Sequence, residues 1–303
     1  MTKLLLIPLV AYLALVALLY AGQRSLLYLP GKRAAGGAEL AALGLERWPD
    51  EARYRGYLLD APSAEGTVVV FHGNAGDAID RLYYAEALGF AGARLLLAEY
   101  PGYGARPGRP SERVLVADAR ETIARVRARY PDEPLYVVGE SLGAGVAAAA
   151  VGATGLENPP PPIDGLLLLT PWDSLAAVAA HHYPFVPVRW LLRDRYRSAH
   201  HLRDVGAVKA VVVAERDEVV PAAFGRALHD ALPPPKRLFV VEGADHNGWF
   251  GRVDRRWWRA VWSASSETPE PAAKRGDVAP RTNVRSAPPV DGSNARRAPT
   301  SDR

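Results

Sequence analysis

The order of apolar segments between residues 67 and 262 constrains the fold more than any other feature of the sequence. Short continuous apolar runs, typical of strands buried on both faces of a sheet, alternate with segments that repeat apolar residues at helical spacing. This alternation predicts an α/β fold in which helices cover both faces of a mostly parallel sheet. The predicted strands are 67–71, 94–98, 135–138, 166–169, 208–213 and 238–241, and the predicted helices are 75–90, 111–130, 142–151, 221–232 and 250–262.

The amino-terminal segment has a different character. Residues 4–23 carry no charge, and at about 1.5 Å per residue a helix of this length nearly crosses a hydrocarbon core of about 30 Å. The run is longer than the apolar part of a signal peptide and lacks a convincing small-x-small cleavage site, which favours a retained anchor over a cleaved signal. Basic residues flank it on both sides, so the positive-inside rule leaves the side of the membrane open. We therefore expect a single-pass membrane anchor over residues 1–24.

The carboxyl-terminal segment differs again. After about residue 263 the sequence has no aromatic residue, and its only aliphatic residues beyond alanine are three valines. Such a segment buries too little apolar surface to offset the entropy of ordering it. We therefore expect a folded domain over residues 25–262 and a disordered tail over 263–303.

Charge and cysteine content exclude several classes of function. The formal net charge of +4 is small and no dense basic stripe occurs, so binding to nucleic acid is not indicated. The chain contains no cysteine, which excludes thiolate catalysis, disulfides and cysteine zinc sites.

One serine stands between two glycines, where a predicted strand meets an alanine-rich predicted helix. Gly139-x-Ser141-x-Gly143 is a weak motif by itself, and a glycine-lined packing contact is the alternative explanation. A nucleophilic serine on a tight turn requires this context, with a strand before it, a helix after it and small neighbours. We predict that Ser141 is a nucleophile.

A serine hydroxyl needs a base to accept its proton, and histidine is the usual one. His246 follows the last predicted strand in a short loop of small and polar residues, where it can reach the carboxyl edge of the sheet. A solvated loop histidine is the alternative, but no other histidine has so suitable a place. The others are attributed to a turn, a surface or lid segment, or a solvated helix face: His72, His181, His182, His200, His201 and His229.

The acid that orients this histidine should follow an earlier strand. Asp217 comes after the run 208–213, and Glu215 and Glu218 are alternatives beside it. The order Ser141, Asp217, His246 along the chain is the order expected of α/β-hydrolases.

A tetrahedral intermediate also needs two fixed N–H donors for its oxyanion. Leu142, which directly follows the serine at the start of a helix, can supply one of them. We assign the second to the backbone of Asn74, in the loop after the strand 67–71, where Gly73 permits a tight turn.

With these motifs the sequence resembles the membrane-anchored α/β-hydrolases of the serine aminopeptidase-like group, which are related to the eukaryotic protein depalmitoylases. The resemblance covers about residues 20–260, in the order of the family. Its motifs are Gln23-Arg-Ser-Leu-Leu-Tyr-Leu-Pro30, Phe71-His-Gly-Asn-Ala-Gly76, Tyr100-Pro-Gly-Tyr-Gly104 with Pro110-Ser-Glu112, Gly139-Glu-Ser-Leu-Gly143, Arg216-Asp-Glu-Val-Val-Pro221 and Gly243-Ala-Asp-His-Asn247. It implies the α/β-hydrolase fold, a catalytic Ser141, Asp217 and His246, and oxyanion donors at Asn74 and Leu142. Pro101 stands where the family often has arginine, and the cysteine-rich amino terminus of the depalmitoylases is missing, so depalmitoylation is only an analogy.

The expected function is hydrolysis of an ester or thioester through an acyl-enzyme, at a membrane and without metal or organic cofactor. The substrate class is a small acyl ester, a thioester or a lipid-like molecule. A peptidase of the same fold is one alternative, and a non-catalytic membrane-tethered scaffold is another from a different class. Residues 171–202 mix aromatic residues with arginines, which is compatible with a small lid over an acyl pocket, with a face on anionic lipid, or with ordinary amphipathic helices on the sheet.

Overall fold

The computed structural model describes residues 2–61, 63–152 and 159–266. The α-helices within these residues are α1 (Thr2–Leu27), α2 (Gly37–Ala42), α3 (Tyr83–Leu88), α4 (Glu112–Arg129), α5 (Leu142–Val151), α6 (Leu175–His182), α7 (Val188–Leu191), α8 (Ser198–Leu202), α9 (Ala222–Ala231) and α10 (Arg255–Ser266). The strands are β1 (Leu29–Pro30), β2 (Glu46–Trp48), β3 (Gly56–Leu59), β4 (Thr67–Phe71), β5 (Ala75–Gly76), β6 (Arg94–Ala98), β7 (Leu135–Glu140), β8 (Gly165–Leu169), β9 (Val208–Ala214) and β10 (Lys236–Val241).

Eight of these strands form one sheet in the order β10-β9-β8-β7-β4-β6-β3-β2. The six strands from β10 to β6 are parallel, whereas β3 pairs antiparallel with β6 and β2 antiparallel with β3. The parallel strands are those that the apolar runs predict. A short separate ladder joins β1 to β5 and ties the end of α1 to the loop after β4.

Successive residues of the central strands face two different cores, as expected of a sheet covered on both sides. Val69 and Phe71 of β4 pack into one core together with α4 and α5, while Val68 and Val70 pack into the other with α3 and α10. The carboxyl ends of the parallel strands meet at one edge, where the candidate residues lie.

Two predicted helices differ from the observed ones. The segment predicted as helix 75–90 contains β5, a 3₁₀ turn at Ala78–Arg81 and the short α3, because Gly76 has φ +79° and Asp77 starts a new helical turn by a capping box with Asp80. This prediction is wrong in extent.

The last helix begins and ends later than predicted. A 3₁₀ turn occupies Phe250–Arg252, and α10 starts only at Arg255, because the Asp254 carboxylate accepts a hydrogen bond from the Trp257 amide at 2.8 Å. α10 ends at Ser266, beyond the predicted end of the domain at 262, and α1 continues to Leu27, beyond the predicted end of the anchor at 24. The rest of the predicted tail, from 267, lies outside the described residues.

Candidate active site

Ser141 occupies the sharp turn between β7 and α5, with φ 52° and ψ −113°. This is a conformation that a residue other than glycine rarely adopts, and the surrounding structure must enforce it. A side chain at Gly143 would approach the Phe71 carbonyl oxygen to 2.0 Å, and one at Gly139 would approach the Gly143 carbonyl oxygen to 2.5 Å. The two glycines are therefore required because neighbouring backbone leaves no room for a Cβ atom. The strand–turn–helix context predicted for the serine is present.

His246 joins Ser141 to Asp217. Its Nε2 lies 3.0 Å from Ser141 Oγ, and its Nδ1 lies 2.6 Å from Asp217 Oδ2. Since an ionised carboxylate only accepts, Nδ1 carries the proton and Nε2 is free to accept the proton of the serine. The His246 side chain is 10% exposed and that of Asp217 is 1% exposed, so the three groups interact largely out of water.

The turn after β9 holds the aspartate in place. The amides of Val219 and Val220 donate to Asp217 Oδ1 at 2.9 and 2.7 Å, which leaves Oδ2 for the histidine. The neighbouring Glu215 instead accepts a hydrogen bond from the Gly243 amide, and Glu218 lines the cavity beside Ser141. The structure thus brings Asp217, and neither alternative acid, to His246.

Asn74 and Leu142 lie beside the same cavity as Ser141. Leu142 is the first residue of α5, so its amide precedes the hydrogen-bond ladder of the helix. Within the described part of the chain the Asn74 amide donates to no carbonyl oxygen, whereas its side chain donates to the Leu27 carbonyl at 3.0 Å.

A buried His72–Glu99 pair supports the loop that carries Asn74, and sequence reasoning missed it by attributing His72 to the turn. His72 Nε2 lies 3.0 Å from Glu99 Oε1, and both side chains are at most 1% exposed. Tyr100 donates to the His72 carbonyl and Tyr103 to the Asn74 carbonyl, each at 2.9 Å. Burial raises the pKa of both phenols well above the usual range, so they remain donors. The signal in the sequence is an acid and two tyrosines directly after an apolar strand.

A second cluster fixes the residue before the serine. Glu140 accepts hydrogen bonds from the hydroxyls of Tyr83 and Tyr84 and lies 3.2 Å from Arg81 Nε. Burial raises the pKa of the two tyrosines, which keeps them protonated as donors. These contacts fix the residue before Ser141, and helix α5 fixes the residues after it.

A cavity of about 600 Å³ opens beside Ser141. Its volume is in the range of small-molecule sites, and most of its lining is apolar. The segment predicted as a lid supplies a large part of the lining, including Trp172, Leu175, Val178, Val188 and Leu191. Residues of α1 line it as well, a contribution that the sequence did not suggest.

The strand order, the strained serine turn and the Ser141–His246–Asp217 geometry define the class of protein as an α/β-hydrolase. Residues 62–204 match the family model of the S33 serine aminopeptidases. An uncharacterised protein of Mycobacterium tuberculosis is 38% identical over 257 residues, which cover 80% of this chain and 88% of that protein. The chain belongs to the serine aminopeptidase-like family of α/β-hydrolases.

More distant relatives and solved structures agree with this class. The lysophosphatidylserine lipase ABHD12 of Mus musculus is 29% identical over 201 residues, covering 60% of this chain and about half, 50%, of the lipase. The Pyrococcus furiosus esterase Pf2001 superposes with a TM-score of 0.58 at 17% identity, over 77% of this chain and 95% of that one. A monoacylglycerol lipase of Paleococcus ferrophilus superposes with a TM-score of 0.52 at 20% identity, over 69% and 99%. At these identities the two structures establish the shared fold.

Proposed function

We propose that the protein hydrolyses carboxylic esters or thioesters through an acyl-enzyme on Ser141. The observation that carries this proposal is the hydrogen-bonded series Ser141–His246–Asp217 at the edge of a mostly apolar cavity. Packing alone gives no reason for these three polar groups to align there, which argues against a non-catalytic scaffold.

The chemistry follows from the positions of the groups. His246 Nε2 takes the proton of Ser141 as Oγ attacks the carbonyl carbon, and Asp217 stabilises the imidazolium that forms. The amides of Asn74 and Leu142 donate to the oxyanion. The C–O or C–S bond then breaks, and the departing alcohol or thiol receives the proton from His246. A water molecule, deprotonated by His246, then attacks the carbonyl carbon of the acyl-enzyme. The bond to Ser141 Oγ breaks, Oγ takes the proton from His246, and the carboxylic acid is released.

The lining of the cavity favours an acyl chain over a peptide. Leucine, valine and aromatic side chains dominate it, and such a surface binds a hydrocarbon chain without leaving polar groups unpaired. The relationship to a lysophosphatidylserine lipase supports a lipid-like ester as the substrate class. Aminopeptidase activity, which the description of the family names, is the alternative.

The proposal includes attachment to a membrane through α1. Leu6–Leu27 is apolar and none of its residues is buried, and its length of about 33 Å suffices to span a bilayer. Phe185 and Trp190 belong to residues 171–202, the segment predicted as a lid and called the cap from here on, and they are 86% and 83% exposed. The Tyr12 hydroxyl donates to the Phe185 carbonyl at 2.8 Å, so Phe185 lies alongside the apolar helix, where an interface with lipid suits an exposed aromatic residue.

Labelling with a fluorophosphonate probe tests the catalytic part of the proposal. The wild-type protein is expected to take one label and Ser141→Ala none, because the probe reacts with an activated serine. Equal labelling of the two proteins, or no labelling of the wild type, would show that Ser141 is not a nucleophile. Turnover of p-nitrophenyl esters should exceed turnover of aminoacyl amides, and the reverse order would favour the peptidase.

A further inference from the structure

One face of α1 forms part of the cavity that contains Ser141. Apart from Leu26, the α1 residues that line the cavity recur at the helical spacing of three or four: Val16, Leu19, Tyr20, Gln23, Arg24 and Leu27. Val16 and Leu19 are partly buried. The adjacent Leu15 and Leu18 are 51% and 70% exposed. The helix therefore turns one face to the cavity and the other outward.

Polar contacts fix this helix against the cap. The Arg24 guanidinium donates to both carboxylate oxygens of Asp194, at 2.9 and 3.1 Å, and the Tyr28 hydroxyl donates to the same carboxylate at 3.1 Å. Gln23 accepts a hydrogen bond from the Arg193 amide at 2.8 Å. Asp194 is 4% exposed, and a buried carboxylate is costly without such partners. These contacts determine where α1 lies.

The end of α1 is also bonded to the loop beside the reacting serine. The Leu27 carbonyl accepts from the Asn74 side chain at 3.0 Å, and the Leu29 amide donates to the Asn74 carbonyl at 2.9 Å. Asn74 is the residue to which we assign an oxyanion donor. The position of α1 is thus coupled directly to the centre of the site.

We infer that α1 is a wall of the acyl-binding site as well as a tether, and that the hydrocarbon chain of the substrate lies between α1 and the cap. This inference rests on the proposed ester hydrolysis at Ser141. A chain in this place runs beside a helix whose outer face is apolar and exposed. The ligand class that fits is a single-chain lipid ester, whose hydrocarbon part passes between the lipid phase and the cavity without crossing water.

A bulky residue on the cavity face tests this wall. Leu19 lies eight residues before Leu27, which contacts the Asn74 loop, and this separation is about 12 Å along the helix. Leu19→Trp, in the full-length protein in detergent, should therefore block the part of the cavity away from that loop. We expect the kcat/KM of p-nitrophenyl laurate relative to p-nitrophenyl butyrate to fall about tenfold or more. The matched control Leu18→Trp places the same side chain on the exposed face and should change this ratio by less than about twofold.

The outcomes separate the inference from the proposed function. An unchanged ratio in Leu19→Trp, or an equal fall in Leu18→Trp, overturns the assignment of α1 as a wall while ester hydrolysis stands. If the wild type hydrolyses neither ester and takes no fluorophosphonate label, the proposed function itself fails. Should Leu19→Trp not fold, Leu19→Ala enlarges the same site and should shift the ratio, whereas Leu18→Ala should not, and equal ratios in these two variants overturn the inference.

Discussion

At the scale of single residues, the site depends on backbone that admits few alternatives. Ser141 keeps a positive φ because β7 and α5 fix the chain on both sides, and Gly139 and Gly143 are the residues that the contacts with Phe71 and Ala144 allow. The glycines of the Gly139-x-Ser141-x-Gly143 motif are thus a consequence of how closely the backbone packs around the serine. The sequence determines less clearly which acid contacts His246, because Glu215, Asp217 and Glu218 lie within four consecutive positions.

Asp217→Asn tests the choice of acid. An asparagine keeps the size of the side chain but no longer stabilises the imidazolium, and its amide can turn a donor toward His246 Nδ1 and favour the wrong tautomer. We expect kcat for p-nitrophenyl butyrate to fall about 10³–10⁴-fold. Glu215→Gln, two positions before it, is the control and should retain activity within about threefold. Comparable losses in both variants would contradict the assignment.

At the scale of elements, helix α8 packs against the end of α5 at His201. The His201 backbone lies so close to Gly152 that a side chain there would approach the His201 carbonyl oxygen to 2.5 Å. Burial lowers the pKa of His201 to about 4, and the neighbouring His200, Arg120 and Arg197 act in the same direction. The folded protein therefore holds this imidazole uncharged at neutral pH.

The stability of the fold should depend on this histidine under mildly acidic conditions. The unfolded chain binds the proton with the ordinary pKa of about 6.5, so stability present above that pH is lost as the pH falls through it toward about 4. His201→Gln should flatten the dependence of Tm on pH between about 6.5 and 4, and His229→Gln on α9 is the control. Parallel Tm curves for wild type and His201→Gln would contradict the role of His201.

Helix boundaries show where sequence patterns are sufficient. α5 was predicted to the residue, because a continuous small apolar run directly after a turn leaves no other element. The predicted helix from 75 to 90 failed because the apolar spacing continued through Gly76 and Asp77, whose backbone and capping bonds end one element and begin the next. The antiparallel strands β2 and β3 carry weaker patterns; β3 is fixed by pairing with β6, and β2 by pairing with β3.

At the scale of the whole molecule, α1 connects a proposed membrane attachment with the site. If it spans a bilayer, two charges among the exposed residues of its amino-terminal half should prevent insertion, because each costs about 2.5–3.5 kcal/mol near the centre of a spanning helix. Leu9→Arg combined with Leu13→Arg is expected to move the protein from the carbonate-resistant membrane fraction to the supernatant. The conservative pair Leu9→Val and Leu13→Val should stay in the membrane.

Two results would contradict the tether. The first is retention of the doubly charged variant in the membrane fraction. The second is an amino-terminal sequence of the mature protein that begins after α1, which would identify the segment as a cleaved signal. Neither result bears on fluorophosphonate labelling of Ser141, so the tether and the catalytic proposal fail separately.

The alternation of strands and helices, the mostly parallel sheet and the order of serine, aspartate and histidine along the chain could all be predicted from the residues. These features are local, since apolar periodicity and turn residues act over a few positions. That Asp217 is the acid in contact with His246, that Glu99 holds His72 and that α1 lines the cavity became visible only in the folded chain. The reason is physical: Ser141 and His246 are 105 positions apart, and Arg24 and Asp194 are 170 apart, so only the folded sheet and cap bring them into contact.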